Sequence, residues 1–156
     1  MKNAFSLTGK TVLVTGGGSG LGLAISSAMI EAGAKLIIAG RREDVLKEAC
    51  AKLGSDSSYK VFDISHLELI PNFTNEIIAE HHQVDVLVNN AGINMKKEFH
   101  DVTDADFESI MRINQQAAFA LSREFSRQMV IRKSGCIIMI SSMAAKYGIP
   151  KVISYT

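Results

Sequence analysis

The amino-acid sequence predicts a doubly wound α/β fold, in which helices cover both faces of one parallel β-sheet. Short runs rich in Val and Ile alternate with longer amphipathic segments along the chain. The short runs are apolar on successive residues, which is typical of strands buried on both faces. This alternation indicates a parallel sheet, and right-handed crossovers favour the strand order 3-2-1-4-5.

Five strands and four helices account for the alternation. The predicted strands are Thr11–Thr15, Lys35–Ala39, Tyr59–Phe62, Asp85–Val88 and Cys136–Ile140. The predicted helices are Leu21–Ala32, Glu43–Leu53, Leu67–His82 and Ala105–Arg132. We interpret residues 1–156 as a single domain, because this length suffices for one hydrophobic core.

Capping residues support the helix boundaries. Ser65 and Thr103 stand where N-caps are expected, and each is followed three residues later by an acidic residue. Gly33 and Gly54 stand where the first two helices should end. On the long fourth helix, apolar side chains are spaced as a stripe that faces the core; these are Phe107, Ile110 and Met111.

Composition and charge exclude several classes of partner. A net charge of +1 gives no electrostatic reason to expect nucleic acid or an anionic membrane as a partner. The start, MKNAFSLTGK, has no signal-peptide core, and no apolar run approaches the ~20 residues of a membrane span. Cys50 and Cys136 are expected as free thiols in a reducing compartment, so we expect a cytoplasmic protein. No metal-ligand pattern is present, and solvated side chains are expected for His66, His81, His82 and His100.

A glycine-rich turn directly follows the first predicted strand and is followed at once by a helix. It reads Thr15-Gly16-Gly17-Gly18-Ser19-Gly20-Leu21-Gly22. Positions without side chains there let backbone N–H groups approach a pyrophosphate at the positive end of the helix dipole. A flexible turn with incidental glycines is the alternative interpretation. The predicted cofactor-binding residues of this turn are Gly16, Gly18, Ser19, Gly20, Leu21 and Gly22.

The spacing T-G-x-x-x-G-x-G resembles that of the short-chain dehydrogenase/reductase family, with Gly16, Gly20 and Gly22 as its three glycines. Further matches to this family follow in the expected order along the chain. Asn89-Asn90-Ala91-Gly92 matches the family's N-N-A-G motif, and Asn114 lies 24 residues beyond Asn90, where the family places an asparagine. Tyr155 lies 13 residues beyond Ser142, which matches the family's spacing between serine and tyrosine. The resemblance covers the whole chain and implies a Rossmann-type, NAD(P)-binding domain.

The resemblance also implies catalytic roles for three residues. Tyr155 would be the general acid, or the base in the oxidative direction, and Ser142 would orient the carbonyl oxygen. Asn114 would hold a backbone kink and a water of the proton relay. Taken one at a time, a capping serine, an interfacial tyrosine and a helix asparagine are the alternatives.

Further cofactor contacts follow the third and fourth strands. Asp63 resembles the family's aspartate that hydrogen-bonds the adenine amino group, although it could instead only begin the next turn. The remaining residues assigned to the cofactor are Ile64, Asn90, Ala91 and Gly92.

The end of the second strand bears on the choice of cofactor. NAD-binding folds usually carry an acid here for the ribose hydroxyls, but the sequence reads Ala39-Gly40-Arg41-Arg42. Arg41 can offer a 2′-phosphate a bidentate, charge-assisted contact, so NADP is favoured, with NAD as the other possibility. Ser19 departs from the basic residue of many NADP-preferring members, and the arginines could also simply solvate a loop.

The resemblance implies that family members continue past the tyrosine with a lysine, two further strands and a substrate-capping segment. We therefore interpret the chain as an N-terminal portion without the usual C-terminal strands, and expect the 156 residues alone to be inactive. For the parent, we expect an NADP(H)-dependent oxidoreductase that interconverts a secondary alcohol and a ketone, on a sugar acid or polyol. The alternatives are a 3-oxoacyl carrier-protein reductase and a non-catalytic nucleotide-binding fragment. The resemblance also implies a homodimer or homotetramer, since in the family the long helix helps to form such contacts.

Overall fold

A computed structural model describes residues 5–155 of the protein. Its strands are β1 (Thr11–Thr15), β2 (Lys35–Gly40), β3 (Ser57–Val61), β4 (Val86–Asn89) and β5 (Cys136–Met139). Its α-helices are α1 (Gly20–Glu31), α2 (Glu43–Leu53), α3 (Ile70–His81), α4 (Asp104–Met111) and α5 (Ala118–Arg132).

All five strands form one parallel sheet in the order β3-β2-β1-β4-β5, which confirms the predicted fold class and strand order. β1 lies at the centre and pairs with β2 in one direction and with β4 in the other. The chain therefore winds outward from β1 to one edge and then returns to wind toward the other. The carboxyl ends of β1 and β4 are neighbours at the point of reversal, where doubly wound folds bind their ligands.

Alternate side chains of the strands build two cores, one on each face of the sheet. Leu13 and Ile37 point to the face covered by α3 and α5, where Phe73 and Phe125 pack. Neighbouring residues point to the opposite face, which α1 and α2 cover; these are Val12, Val14, Leu36 and Ile38. Burial on both faces explains why successive strand residues are apolar.

The predicted helix Leu67–His82 begins differently in the structure. Ser65 is not its N-cap, which corrects the prediction: the Ser65 N–H donates to Asp63 Oδ1 at 2.9 Å, and a short 3₁₀ turn spans Leu67–Leu69. α3 then begins at Ile70, with Pro71 in its first turn, where a residue without an N–H costs nothing. His82, with φ of 66°, ends the helix.

The long predicted helix is three elements rather than one. Thr103 caps α4 as predicted, because its hydroxyl accepts from the Asp106 N–H at 3.2 Å while Asp106 accepts from the Thr103 N–H at 3.0 Å. A π-helical turn, Arg112–Ala117, then separates α4 from α5. Of the predicted core stripe, Ile110 is buried but Phe107 is half-exposed, so the stripe is narrower than the spacing indicated.

Smaller corrections concern strand ends and histidines. β3 begins two residues earlier than predicted and β4 one residue later, at Val86. His81 is not fully solvated: burial, the largest influence, lowers its pKa below the ordinary value. The other three histidines are exposed. Within the described residues, no helix is long and apolar enough to cross a membrane.

Candidate functional site

A cleft of about 300 Å³ opens at the carboxyl ends of β1, β2, β3 and β4, at the point where the winding reverses. The glycine-rich turn forms one wall, and the residues that follow β2, β3 and β4 form the others. Every predicted cofactor residue except Gly20 lines it: Gly16, Gly18, Ser19, Leu21, Gly22, Arg41, Asp63, Ile64, Asn90, Ala91 and Gly92. The structure therefore gathers contacts from four separate stretches of sequence into one concave surface.

Gly16 and Gly22 let the backbone of the glycine-rich turn fold tightly onto the sheet. Gly16 has φ of 65°, a conformation that glycine adopts without steric cost, and its N–H donates to Ala39 O at 2.7 Å. A Cβ on Gly22 would overlap the Gly16 carbonyl and lie 2.6 Å from Asn90 Nδ2. Only glycine at position 22 therefore allows α1 to begin this close to the end of β1.

The start of α1 faces the cleft with free hydrogen-bond donors. Within residues 5–155, the N-cap residue Ser19 makes no side-chain capping bond. The first backbone N–H groups of α1 thus stay available to a ligand, at the positive end of the helix dipole. This arrangement suits a phosphate or pyrophosphate group.

Thr15 is a residue of this site that the sequence analysis did not select. Its buried hydroxyl accepts from the N–H groups of Asn90 and Ala91, both at 3.1 Å, and donates to Val88 O at 3.3 Å. Asn90 Nδ2 in turn donates to Thr15 O at 2.9 Å. The threonine that opens the T-G-x-x-x-G-x-G pattern was the signal that could have identified it.

Two arginines and one carboxylate shape the charge at the end of the cleft formed by the residues that follow β2 and β3. Arg41 and Arg42 line the cleft with exposed side chains. Desolvation, the largest single influence, would raise the pKa of Asp63. Hydrogen bonds from Ser65 and attraction from Arg41 and His66 outweigh it, so the pKa lies below its ordinary value. Asp63 is therefore ionised at neutral pH, and it both begins the turn and faces the cleft.

Asn114 lies in the π-helical turn and holds the loop after β4. Its Nδ2 donates to Ile93 O at 2.8 Å, and its Oδ1 accepts from the Ile93 N–H at 2.9 Å. Gly92 lies close to the Asn114 side chain: a Cβ at position 92 would be 3.3 Å from Asn114 Oδ1. Ile93, which the sequence analysis also did not select, lines the cleft and links it to the π-helical turn.

Ser142 and Tyr155 follow β5, at the same edge of the sheet as the cleft. Ser142 Oγ accepts from the Ala144 N–H at 3.1 Å and caps a short 3₁₀ turn, Met143–Ala145. Tyr155 is half-buried, and its N–H donates to Val152 O at 2.9 Å. Asn114, Ser142 and Tyr155 lie outside the cleft lining, and no direct hydrogen bond joins any two of them in the described part of the chain.

Among residues 5–155, no group of three or more His, Cys, Asp or Glu side chains is placed to hold a metal ion. The cleft instead offers backbone donors, two guanidinium groups and a carboxylate. This donor set, with its glycine-lined approach to α1, fits a dinucleotide.

Comparison with known proteins assigns the family. The short chain dehydrogenase family model matches residues 10–156. The 5-keto-D-gluconate 5-reductase of Escherichia coli is 31% identical over 158 residues, covering 99% of this chain and 62% of that protein. A 3-oxoacyl-[acyl-carrier-protein] reductase of Rickettsia prowazekii is 36% identical over 149 residues, covering 96% of this chain and 60% of that protein. The chain thus spans about 60% of the length of these two relatives.

Solved structures share the fold. A protein assigned as an NAD(P)-dependent gluconate 5-dehydrogenase of Beutenbergia cavernae, with NADP bound at low occupancy, has a TM-score of 0.89 and 37% identity. The match covers 98% of this chain and 62% of that one. A metagenomic short-chain oxidoreductase in complex with NADP has a TM-score of 0.90 and 31% identity, covering 96% and 69%. A family match over nearly the whole length, on a fold shared with these structures, means that this chain belongs to the short-chain dehydrogenase family.

Proposed function

We propose that the protein is an NADP(H)-dependent oxidoreductase that interconverts a secondary alcohol and a ketone. The observation that carries this proposal is the cleft at the carboxyl ends of β1 and β4. It is lined by the glycine-rich turn, by Arg41 and Asp63, and by the Asn90–Gly92 stretch. Because the chain spans 48% to 62% of the length of its curated relatives, the activity is proposed for the complete gene product.

Each part of the cofactor has a matching part of the cleft. The open N-terminus of α1 suits the pyrophosphate, since its donors are free and Gly16 and Gly22 let the backbone approach. The ionised carboxylate of Asp63 suits the adenine amino group as a hydrogen-bond acceptor. The exposed guanidinium of Arg41 suits a 2′-phosphate, with NAD as the second cofactor to be compared.

Three side chains have separate roles in the proposed ketone reduction. When bound, a reduced nicotinamide supplies the hydride that adds to the carbonyl carbon. Tyr155 donates a proton to the carbonyl oxygen, and Ser142 orients that oxygen by a hydrogen bond. Asn114 acts on the loop, because its two bonds to Ile93 fix the backbone that runs from the cofactor cleft toward the substrate side. In the oxidative direction, the Tyr155 phenolate accepts the alcohol proton instead.

Sugar acids or polyols are the proposed substrates. The Escherichia coli relative is named a 5-keto-D-gluconate 5-reductase, and the Beutenbergia cavernae structure is assigned as a gluconate 5-dehydrogenase. A 3-oxoacyl thioester is the second candidate, because the Rickettsia prowazekii relative is named for that reaction.

We also propose a cytoplasmic homodimer or homotetramer. Both cysteines are free thiols, which suits a reducing compartment. On α5, Phe119, Val130 and Ile131 expose large apolar side chains, and such surfaces commonly mark contacts between subunits.

The decisive experiment is an NADPH oxidation assay of the complete gene product with two ketones. We expect absorbance at the nicotinamide band to fall with 5-keto-D-gluconate and to fall more slowly with an acetoacetyl thioester. The reverse ranking would assign the protein to 3-oxoacyl reduction. NADPH binding without oxidation by either ketone would contradict the oxidoreductase proposal and favour a nucleotide-binding role.

A further inference from the structure

Lys151 joins the segment that carries Tyr155 to the loop that Asn114 holds. One is the tyrosine segment, defined as residues 149–155, and the other is the loop of residues 93–98 that follows β4. The Lys97 N–H donates to Lys151 O at 2.8 Å. Beside this backbone bond, Lys151 Nζ lies 2.6 Å from Glu98 Oε1. One residue thus holds the loop by both its main chain and its side chain.

The backbone at Lys151 has a conformation that side chains disfavour. Its φ is 67°, in the left-handed region, which non-glycine residues adopt at a cost. The residues after it are anchored, because Val152 and Ser154 are 2% and 6% exposed. The backbone thus turns at Lys151, so that its carbonyl meets the loop while Val152 and Ser154 enter the core.

The loop is fastened at its other points as well. Asn114 holds both backbone groups of Ile93 at the end nearest the cofactor cleft. Lys97 Nζ contacts Asp106 Oδ2 at 2.6 Å, and Asp106 belongs to the capping box of α4. The loop therefore forms a continuous bridge from the π-helical turn to the tyrosine segment.

We propose that the Glu98–Lys151 ion pair, together with the Lys97-to-Lys151 backbone bond, is a latch that positions Tyr155 relative to Asn114 and the cofactor cleft. Glu98 and Lys151 act through Tyr155 and are positioning residues. The catalytic part of this inference rests on the proposed oxidoreductase function. The structural part, which is the coupling of the two segments, stands on the contacts alone.

Either side chain of the latch can be replaced without unfolding the domain. Glu98 and Lys151 have side chains that are 62% and 59% exposed, so removing one leaves no charge buried. An exposed pair of this kind stabilises a fold little. A change at the latch should therefore alter the placement of the tyrosine segment far more than the stability of the domain.

Three variants of the complete gene product separate the ion pair from the backbone shape. Glu98→Gln removes the pair alone. Lys151→Gly also removes it, but glycine adopts the left-handed conformation freely and keeps the backbone turn. The double exchange Glu98→Lys with Lys151→Glu restores the pair with reversed charges. Glu76→Gln is the control, because it removes a 2.9 Å ion pair with Lys60, which keeps Glu80 at 3.9 Å, on the other edge of the sheet.

The measurements are kcat for ketone reduction, the Kd for NADPH, the Tm, and hydrogen–deuterium exchange at the Lys97 and Tyr155 amides. We expect Glu98→Gln and Lys151→Gly to lower kcat by about fivefold, with the Kd for NADPH and the Tm unchanged. Exchange at both amides should rise in these two variants. The double substitution should recover most of the lost kcat, and Glu76→Gln should match the wild type in kcat, Kd, Tm and amide exchange.

Unchanged amide exchange in Glu98→Gln and Lys151→Gly would overturn the latch, whatever the protein catalyses. Faster amide exchange with unchanged kcat would overturn the positioning role. A loss of kcat that is matched by a fall in Tm would also overturn it, as would a loss that the double substitution does not recover. If the wild type turns over no ketone, the proposed function and the catalytic part of the inference fail together. The exchange measurements still decide whether the two segments are coupled.

Discussion

Thr15 and Asn90 bind each other reciprocally across the ends of β1 and β4. The Thr15 hydroxyl accepts from the Asn90 N–H at 3.1 Å, and Asn90 Nδ2 donates to Thr15 O at 2.9 Å. The same hydroxyl also accepts from the Ala91 N–H. The pair therefore ties the end of β1, where the glycine-rich turn begins, to the Asn90–Gly92 stretch.

Replacing Thr15 by Val should therefore destabilise the domain and weaken cofactor binding. Valine has nearly the same shape, but it removes the hydroxyl that accepts from the Ala91 N–H and leaves the Asn90 N–H with only Val88 O, at a position that is 1% exposed. We expect a loss of about 2 kcal/mol in the free energy of unfolding, measured by urea denaturation. Thr15→Ser is the control, since it keeps the hydroxyl. A Thr15→Val variant as stable as the wild type, beside a destabilised Thr15→Ser, would show that the methyl group, not the hydrogen bonds, matters.

Adding one methyl group at Gly22 should disrupt the glycine-rich turn. In Gly22→Ala, the new Cβ would overlap Gly16 O, so α1 must move away from β1. We expect a loss of NADPH binding by at least tenfold, on the order of 1.4 kcal/mol, together with a lower Tm. Gly148→Ala is a suitable comparison, because a Cβ there meets nothing within 4 Å. Binding by Gly22→Ala at wild-type strength would argue against a dinucleotide at this turn.

Much of the fold and of the cofactor cleft could be predicted because the signals are local. The alternation of apolar runs determines the sheet, and the strand–turn–helix context of Gly16 and Gly22 identifies the turn. The capping box at Thr103 was also readable, because both partners lie within four residues. Patterns of this kind depend on neighbours in sequence, so a single chain contains all the information needed to recognise them.

The features that escaped prediction depend on distant partners. The resemblance implied a backbone kink at Asn114, but neither the π-helical turn itself nor the bond from Asn114 to Ile93, 21 residues away, has a local signal. Thr15 is unremarkable until β4 places Asn90 beside it. The left-handed backbone at Lys151 has no sequence signal, because turns of this kind usually carry glycine or asparagine. Such contacts become visible only when the strands are assembled.

Exchanging Gly40→Asp with Arg41→Ile should reverse the cofactor preference from NADP(H) to NAD(H). The aspartate would repel a 2′-phosphate and accept from ribose hydroxyls, and the isoleucine would remove the guanidinium that favours the phosphate. A Cβ on Gly40 would lie 3.4 Å from Leu46 Cδ2, so the aspartate fits without displacing backbone. We expect a change of about 3 kcal/mol in relative affinity by titration with both cofactors. Lys47→Met controls for the loss of a nearby cation, and tighter NAD(H) binding by the wild type would contradict the assignment.

Replacing Tyr155 by Phe in the complete gene product should remove the proton donor while keeping the ring. We expect kcat to fall by the ~10²–10⁴ typical of a lost general acid, with little change in the Kd for NADPH. Tyr147→Phe is a matched control, because Tyr147 is an exposed tyrosine eight residues before Tyr155. Turnover near the wild-type rate in Tyr155→Phe would mean that another group supplies the proton.

The contact between Lys97 and Asp106 should make the stability of the domain depend on pH in the acid range. The hydrogen bond from Lys97, followed by those from Thr103, lowers the pKa of Asp106 from 3.8 to about 2. Since the pKa is lower in the folded state than in the unfolded state, the carboxylate stabilises the fold fully above pH 3.8. This contribution decreases as the pH falls from 3.8 toward 2.

Asp106→Asn isolates this effect, because asparagine keeps an oxygen for the capping bond from the Thr103 N–H but has no charge for Lys97. The wild type should be more stable than Asp106→Asn at pH 6, and the gap should shrink as the pH falls below 3.8. Urea denaturation of both proteins from pH 6 to pH 2.5 measures the gap directly. Every other carboxylate is common to the two proteins and cancels in the difference. A gap that stays constant over this range would mean that Lys97 does not hold Asp106 ionised in the folded protein.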